Sequence, residues 1–158
     1  MLVKNQEIIM RLSRFIGFGS SLVLLCSVFV SGTLLAQEEK PFAEHKIVLQ
    51  ISDMDPFKQT LVLNVAGNIL KAYGPDQADV EIVAFGPGLR LLFEGNINAG
   101  LIDGLVDIGV RCFACENPIN NMSKTLGTPL KVNSHAASGY CGIVRIKELT
   151  DKGYLLVK

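Results

Sequence analysis

The chain has 158 residues, 49% of them hydrophobic, and its 15 basic and 15 acidic residues give a net charge of zero. This length allows one domain of ordinary size, and the hydrophobic content excludes a disordered chain. The balanced charge argues against a nucleic-acid-binding protein, which carries a basic excess or a basic patch. A polytopic membrane protein is excluded because only one apolar run approaches ~18 residues.

Residues 1–36 have the layout of a secretory signal peptide. Basic residues up to Arg14 precede a long uncharged stretch rich in Phe, Leu and Val, and small residues end at Ala36. Because this is the order of charged region, apolar region and cleavage site, we predict cleavage after Ala36. An uncleaved single-span anchor is the alternative, since the uncharged run is just long enough. Either way, the rest of the chain is predicted to be periplasmic, and membrane-anchored if the segment is not cleaved.

The residues after this segment form a slightly acidic chain with an odd number of cysteines. They carry 12 basic and 14 acidic residues and three cysteines, Cys112, Cys115 and Cys141. In an oxidising compartment, an odd number leaves at least one thiol free, bound or paired with another chain. Residues 37–44 are polar and are predicted to be a linker.

Residues 45–158 are predicted to form a single domain in which strands and helices alternate. Apolar strands that alternate with helices indicate a mostly parallel sheet with helices on both faces, a three-layer α/β fold. The five predicted strands cover residues 45–51, 79–85, 110–114, 130–133 and 154–157. The later predicted helices begin near residue 97, at Asn117-Pro118 and at Ser138 or Gly139.

The helix after the first strand has the clearest local signals. Asp55 is a capping residue, Pro56 fits the first helical position, and Gly74-Pro75 ends the helix. An apolar stripe is typical of the face that a helix buries. The stripe here recurs every four residues, at Phe57, Leu61, Val65 and Ile69, and is widened by Val62, Leu70 and Tyr73.

Loops beyond the carboxyl ends of the strands are the candidate site, because open α/β sheets bind ligands there. The rule selects residues 52–55, 86–88, 115–117 and 134–141, and it places Cys115, Cys141 and His135 at one edge. The remaining candidate binding-loop residues are Ser52, Asp53, Gly86, Gly88, Glu116 and Asn117.

Cys115 is the candidate nucleophile, because it follows a strand and precedes a predicted helix start. The positive end of a helix stabilises a thiolate, the reactive form of cysteine. The alternative is a small buried core residue. Cys141 is the candidate resolving thiol and disulfide partner. His135 is either a proton donor or acceptor for Cys115 or a solvated loop residue.

Cys112 and Cys115 form a C-x-x-C pair, which on its own suggests a redox motif. If Cys112 lies within a strand, however, the two side chains point to opposite faces, so we predict a packing role for Cys112. A zinc site that adds His135 and Cys141 meets the same objection, and no metal is predicted. The phosphate-binding motifs G-x-G-x-x-G and G-x-x-x-x-G-K-[ST] are absent, so no nucleotide or flavin cofactor is predicted.

Four segments of residues 45–158 resemble the DsrE/DsrF-like (YchN-like) family of small α/β sulfur-relay proteins. They are K-I-V-L-Q-I-S-D, V-E-I-V-A-F-G-P-G-L-R-L-L, G-V-R-C-F-A-C-E-N and I-K-E-L-T-D-K-G-Y. The chain departs from the family in its export signal, in Cys112 and Cys141, and in Phe85, where many members have His.

The resemblance implies a compact domain of flavodoxin-like topology that assembles into trimers or hexamers. It also implies that Cys115 carries a persulfide between donor and acceptor, which are proteins or small thiols, without an organic cofactor. The expected function is therefore sulfur binding or transfer, as in a sulfurtransferase-like carrier. The alternatives are a non-catalytic oligomeric binding module and a periplasmic thiol–disulfide protein.

Overall fold

The computed structural model describes residues 38–158 of the chain. The predicted signal peptide, its cleavage after Ala36 and the anchor alternative lie outside this range. Among the described residues, no helix has both the length and the apolar character that crossing a membrane requires.

The described residues form an α/β domain around a five-stranded sheet, as the sequence predicts, and every strand pair in that sheet is parallel. The strands are β1 (His45–Ile51), β2 (Ala78–Ala84), β3 (Arg111–Cys115), β4 (Ala136–Gly139) and β5 (Leu155–Val157). The helices are α1 (Pro56–Tyr73), a 3-10 helix (Gly86–Leu92), α2 (Ala99–Asp107), α3 (Glu116–Leu126) and α4 (Gly142–Asp151).

The strand order is β4-β3-β2-β1-β5, so the predicted flavodoxin-like topology was wrong. In a flavodoxin-like sheet β1 lies between β2 and β3, whereas here it lies between β2 and β5. The connections from β1 to β4 all step in one direction, and the last connection runs back to the far side of β1. Because parallel connections are right-handed, this reversal moves the last helix to the opposite face.

The two faces of the sheet carry separate apolar cores. On the α1 face, side chains such as Leu49 and Ile82 pack with Leu63 of α1 and Leu105 of α2. On the α4 face, Val48 and Val83 pack with side chains of α4, among them Leu149.

Helix α1 has the predicted ends, but only part of the predicted stripe packs against the core. Asp55 accepts a hydrogen bond from the backbone N–H of Phe57 at 2.8 Å, and Gly74 ends the helix. Phe57 and Leu61, however, are 86% and 60% exposed. A strict four-residue spacing advances by about 40° per step around a helix of 3.6 residues per turn, so the two ends of the predicted stripe do not face the same way. Its later residues, Val65 and Ile69, pack against the core. The buried residues follow mixed spacings of four and three: Gln59, Leu63, Ala66 and Leu70.

The third and fourth strands end or begin elsewhere than predicted. Residues 130–133 were predicted as the fourth strand, but Val132 makes only an isolated antiparallel bridge to Phe93. The fourth strand is instead the small-residue segment Ala136–Gly139, which pairs with β3. Helix α3 begins at Glu116 rather than after Asn117, because Pro118 fits within the first turn, where no N–H bond is lost.

Residues 38–44, predicted as a linker, pack against the domain. The backbone N–H of Lys40 donates to Asp79 Oδ2 at 2.7 Å, and Ala43 is buried. Glu39 forms ion pairs with Arg145 of α4 at 3.2 Å and with Lys152 at 2.7 Å. We call these residues the N-terminal strap.

Candidate functional site

The carboxyl ends of β3 and β4 form the topological switch point of the sheet. The chain leaves β3 into α3, whose Ile119 packs on the α1 face, and it leaves β4 into α4 on the opposite face. Loops that diverge from neighbouring strands open a crevice between them, which is where α/β sheets bind ligands. Of the four predicted loops, the two around Cys115 and Cys141 lie at this switch point, and we call the place between them the crevice.

Cys115 and Cys141 occupy equivalent places on the two sides of the crevice. Cys115 ends β3 and is the N-cap of α3, while Cys141 follows β4 and is the N-cap of α4. Cys115 lies opposite Gly139 in the sheet register. Both cysteines are free thiols in this structure. The sequence therefore placed these two residues correctly, at one edge and near each other.

The Cys115 side chain faces β4 rather than the backbone N–H groups of α3. Its thiol donates a hydrogen bond to the carbonyl oxygen of Tyr140, with 3.6 Å between sulfur and oxygen, and neither cysteine caps its helix through its side chain. A thiol that donates in this way must lose its proton before it acts as a nucleophile. Glu116 accepts a hydrogen bond from the Ser138 hydroxyl at 2.9 Å, which ties the start of α3 to β4.

His135 lies at the amino end of β4, whereas Cys115 lies at the carboxyl end of β3. Its predicted position beside Cys115 was therefore wrong. The fourth strand begins at Ala136 instead of ending at residue 133, and His135 therefore precedes that strand. Its imidazole is 47% exposed, and Nε2 is 3.8 Å from Asp103 Oδ1. The structure leaves it no contact with either thiol of the crevice.

Cys112 has the packing role predicted for it. It belongs to the core cluster of the α1 face. Arg111 and Phe113 lie four and two positions before Cys115, so they share its face of β3 and alternate with Cys112. Burial, and then the negative charge of Glu81, raise the pKa of the Cys112 thiol to about 12. The two cysteines of the C-x-x-C pair thus face opposite sides of the sheet, which was the objection raised to a zinc site. Among residues 38–158, no three His, Cys, Asp or Glu side chains are grouped as metal ligands.

The first candidate loop borders a different region. Ser52 and Asp53 line a cleft of about 410 Å³ between α1 and the β5 edge, walled by Leu61, Val62 and Val157 among others. Asp53 pairs with Lys58, and this hydrogen bond lowers the pKa of the Asp53 carboxyl. The carboxyl ends of the strands therefore border two places: this cleft beside β1 and the crevice between β3 and β4.

The Gly86-Pro87-Gly88 turn has a structural reason for its glycines. A Cβ atom on Gly88 would lie 2.4 Å from the carbonyl oxygen of Ile51, and Gly86 has a φ of 52°. Only glycine allows the turn to approach the end of β1 so closely and to adopt that conformation. We therefore assign Gly88 to packing between the loops beyond β1 and β2.

A buried network of charges on the α4 face was missed by the sequence reasoning. The Arg111 guanidinium pairs with Asp79 at 2.8 Å and also with Glu81, and all three side chains are at most 6% exposed. Arg145 donates to Glu81 through Nε at 2.7 Å, and the Tyr154 hydroxyl donates to Asp79. The sequence did contain a signal for this network. Asp79 and Glu81 alternate with the apolar residues Val80 and Ile82 along β2, which places both acidic side chains on the same face of the strand.

Comparisons with known proteins support the fold alone. No family model matches the chain, and no curated protein matches it. The structure is similar to that of MTH1491 from Methanobacterium thermoautotrophicum, a protein of unknown function. The two chains are 20% identical, the match covers 72% of this chain and 97% of that one, and the TM-score is 0.61.

Proposed function

We propose that this protein is an exported DsrE/DsrF-like protein that binds or transfers sulfane sulfur as a persulfide on Cys115. The observation that carries the proposal is the position of Cys115: it ends β3 at the switch point, with the thiol-bearing Cys141 segment beside it. The proposal includes the periplasm as its location and a trimer or hexamer as its assembly, both of which rest on the sequence. It includes no organic cofactor.

The chemistry requires only a thiol and a donor. The Cys115 thiolate attacks the outer sulfur of a donor persulfide, the donor S–S bond breaks, and the donor leaves as a thiol. Sulfur moves without net oxidation, so no redox cofactor takes part.

The surface around the crevice suits sulfur-donor or sulfur-acceptor proteins. Tyr140, Ile143 and Val144 are 76%, 54% and 51% exposed, and they flank Cys141 in the sequence. Exposed apolar side chains that lie together mark interaction surfaces. A donor or acceptor that contacts these residues would lie over the crevice.

Persulfide loading tests the proposal directly. Full-length protein treated with glutathione persulfide is expected to gain about 32 Da on the Cys115 peptide, as measured by intact mass and peptide mapping. Cys115→Ser should lose this adduct and remain folded, because serine is a good N-cap residue. Cys112→Ala is the matched control and should retain the adduct. Absence of an adduct on every cysteine favours the non-catalytic binding module.

A thiol–disulfide protein is the second candidate, and the two free thiols at neighbouring helix starts favour it. In that case mild oxidation should give a species about 2 Da lighter, with Cys115 bonded to Cys141. A mixed disulfide with a partner thiol should then resolve in the wild type and accumulate in Cys141→Ser.

A further inference from the structure

We propose that Cys141 is the receiving thiol of the crevice: it accepts sulfur from the donor and passes that sulfur to Cys115. This inference rests on the proposed carrier function and assigns a direction to it. It separates the thiol that meets the donor from the thiol that stores the sulfur.

The difference in exposure between the two thiols is the first reason. Cys115 is 5% exposed, and its thiol is turned towards the backbone of the β4–α4 loop. Cys141 is only partly buried and lies in a loop with Tyr140, whose side chain is 76% exposed. A donor as large as a protein therefore meets Cys141 before it can meet Cys115, since exchange rates depend on access to the sulfur.

The closeness of the two residues is the second reason. The carbonyl oxygen that accepts the Cys115 hydrogen bond belongs to Tyr140, so three covalent bonds separate it from the Cα atom of Cys141. Cys141 has an extended backbone, with φ of −147° and ψ of 123°. The Cys115 sulfur therefore already contacts the residue that precedes Cys141, and the proposal requires the two sulfurs to meet by rotation of their side chains.

The transfer balances without an oxidant. The Cys141 thiolate attacks the outer sulfur of the donor persulfide, and the donor departs with the electron pair of the broken S–S bond. Cys115 then attacks the outer sulfur of the Cys141 persulfide, the bond between that sulfur and Cys141 breaks, and Cys141 leaves as the thiolate. The proton of the Cys115 thiol ends on Cys141. Burial then keeps the stored sulfur away from other thiols.

The rate of loading at Cys115 tests the inference. Full-length wild type, Cys141→Ser and Cys115→Ser are mixed with glutathione persulfide, quenched at intervals and mapped by peptide mass. We expect Cys141→Ser to load Cys115 at least roughly tenfold more slowly than wild type. In Cys115→Ser the added sulfur should remain on Cys141. Serine at these N-cap positions preserves both helix starts, and Cys112→Ala controls for the loss of a thiol elsewhere.

Two results would overturn the inference about Cys141, and a third result would overturn the proposed carrier function. If Cys141→Ser loads Cys115 as fast as wild type does, Cys115 receives sulfur directly and the carrier function survives. If the wild type releases sulfide and becomes about 2 Da lighter, Cys141 is a resolving thiol instead. If no variant ever carries sulfur on Cys115, the proposed function itself fails.

Discussion

Arg111 compensates two carboxylates that the sheet has removed from water. Asp79 and Glu81 are 0% and 2% exposed, and both lie on β2 beside Arg111 of β3. A buried charge without a partner costs several kcal/mol, and Arg111 is the one cation among the described residues that pairs with both carboxylates. Two further side chains complete the network: Arg111 donates a hydrogen bond to the Tyr154 hydroxyl, and Arg145 of α4 donates one to Glu81.

Loss of the Arg111 charge should strongly destabilise the domain. Arg111→Met keeps most of the side-chain volume but leaves two buried carboxylates, and we expect it to lower the free energy of unfolding by about 3–5 kcal/mol. Lys147→Met removes an exposed ion pair with Asp151 and should cost less than about 0.5 kcal/mol. Urea unfolding of both variants decides the question. Equal losses in the two variants would show that the buried carboxylates do not need Arg111.

Helix α1 shows what local signals can and cannot predict. Its ends follow from Asp55, Pro56 and Gly74, because caps and proline act on the backbone next to them. Its buried side depends on how the helix crosses the sheet, and of the predicted stripe Val65 and Ile69 pack against the core whereas Phe57 does not. β4 shows the same limit: Ala-Ala-Ser-Gly has no apolar run, and it becomes a strand because β3 offers it hydrogen bonds.

The two sides of α1 should respond differently to the same substitution. Leu63 is fully buried, so Leu63→Ala should lower the free energy of unfolding by about 2–5 kcal/mol. Leu61 is 60% exposed, so Leu61→Ala should change it by less than about 1 kcal/mol. Thermal or urea unfolding of the pair measures both effects. A larger loss for Leu61→Ala would restore the predicted four-residue stripe as the core face.

At the scale of the whole molecule, the alternation of strands and helices predicted the number of strands and their parallel direction. It did not predict their order, because the side of β1 on which β5 pairs depends on contacts between distant segments. The predictions for the candidate site were limited in the same way, because they too depend on which segments pair. The position of Cys115 was predicted correctly, because it follows from the strand and the helix start on either side of it in the sequence. The position of His135 was predicted wrongly, because the first and last residues of β4 depend on its pairing with β3.

The N-terminal strap joins the sheet and α4, and its attachment should depend on pH. The hydrogen bond from Lys152 and the nearby charge of Arg145 lower the pKa of the Glu39 carboxyl below its usual value of 4.5, despite partial burial. A carboxyl whose pKa falls on folding stabilises the folded state above its unfolded pKa. That contribution is lost as the pH falls through the folded pKa.

Glu39→Gln should therefore destabilise the domain at neutral pH and not in acid. Because Glu39 is partly exposed, we expect a loss of up to about 1 kcal/mol at pH 7, and a loss that approaches zero once the pH falls below the folded pKa. Glu44→Gln, at an exposed position five residues beyond Glu39, is the matched control and should show little effect at either pH. Urea unfolding of the three proteins between pH 7 and the acid limit of folding measures the difference. A loss for Glu39→Gln that is the same at every pH would mean that the strap is held by its backbone and Ala43 rather than by the Glu39 charge.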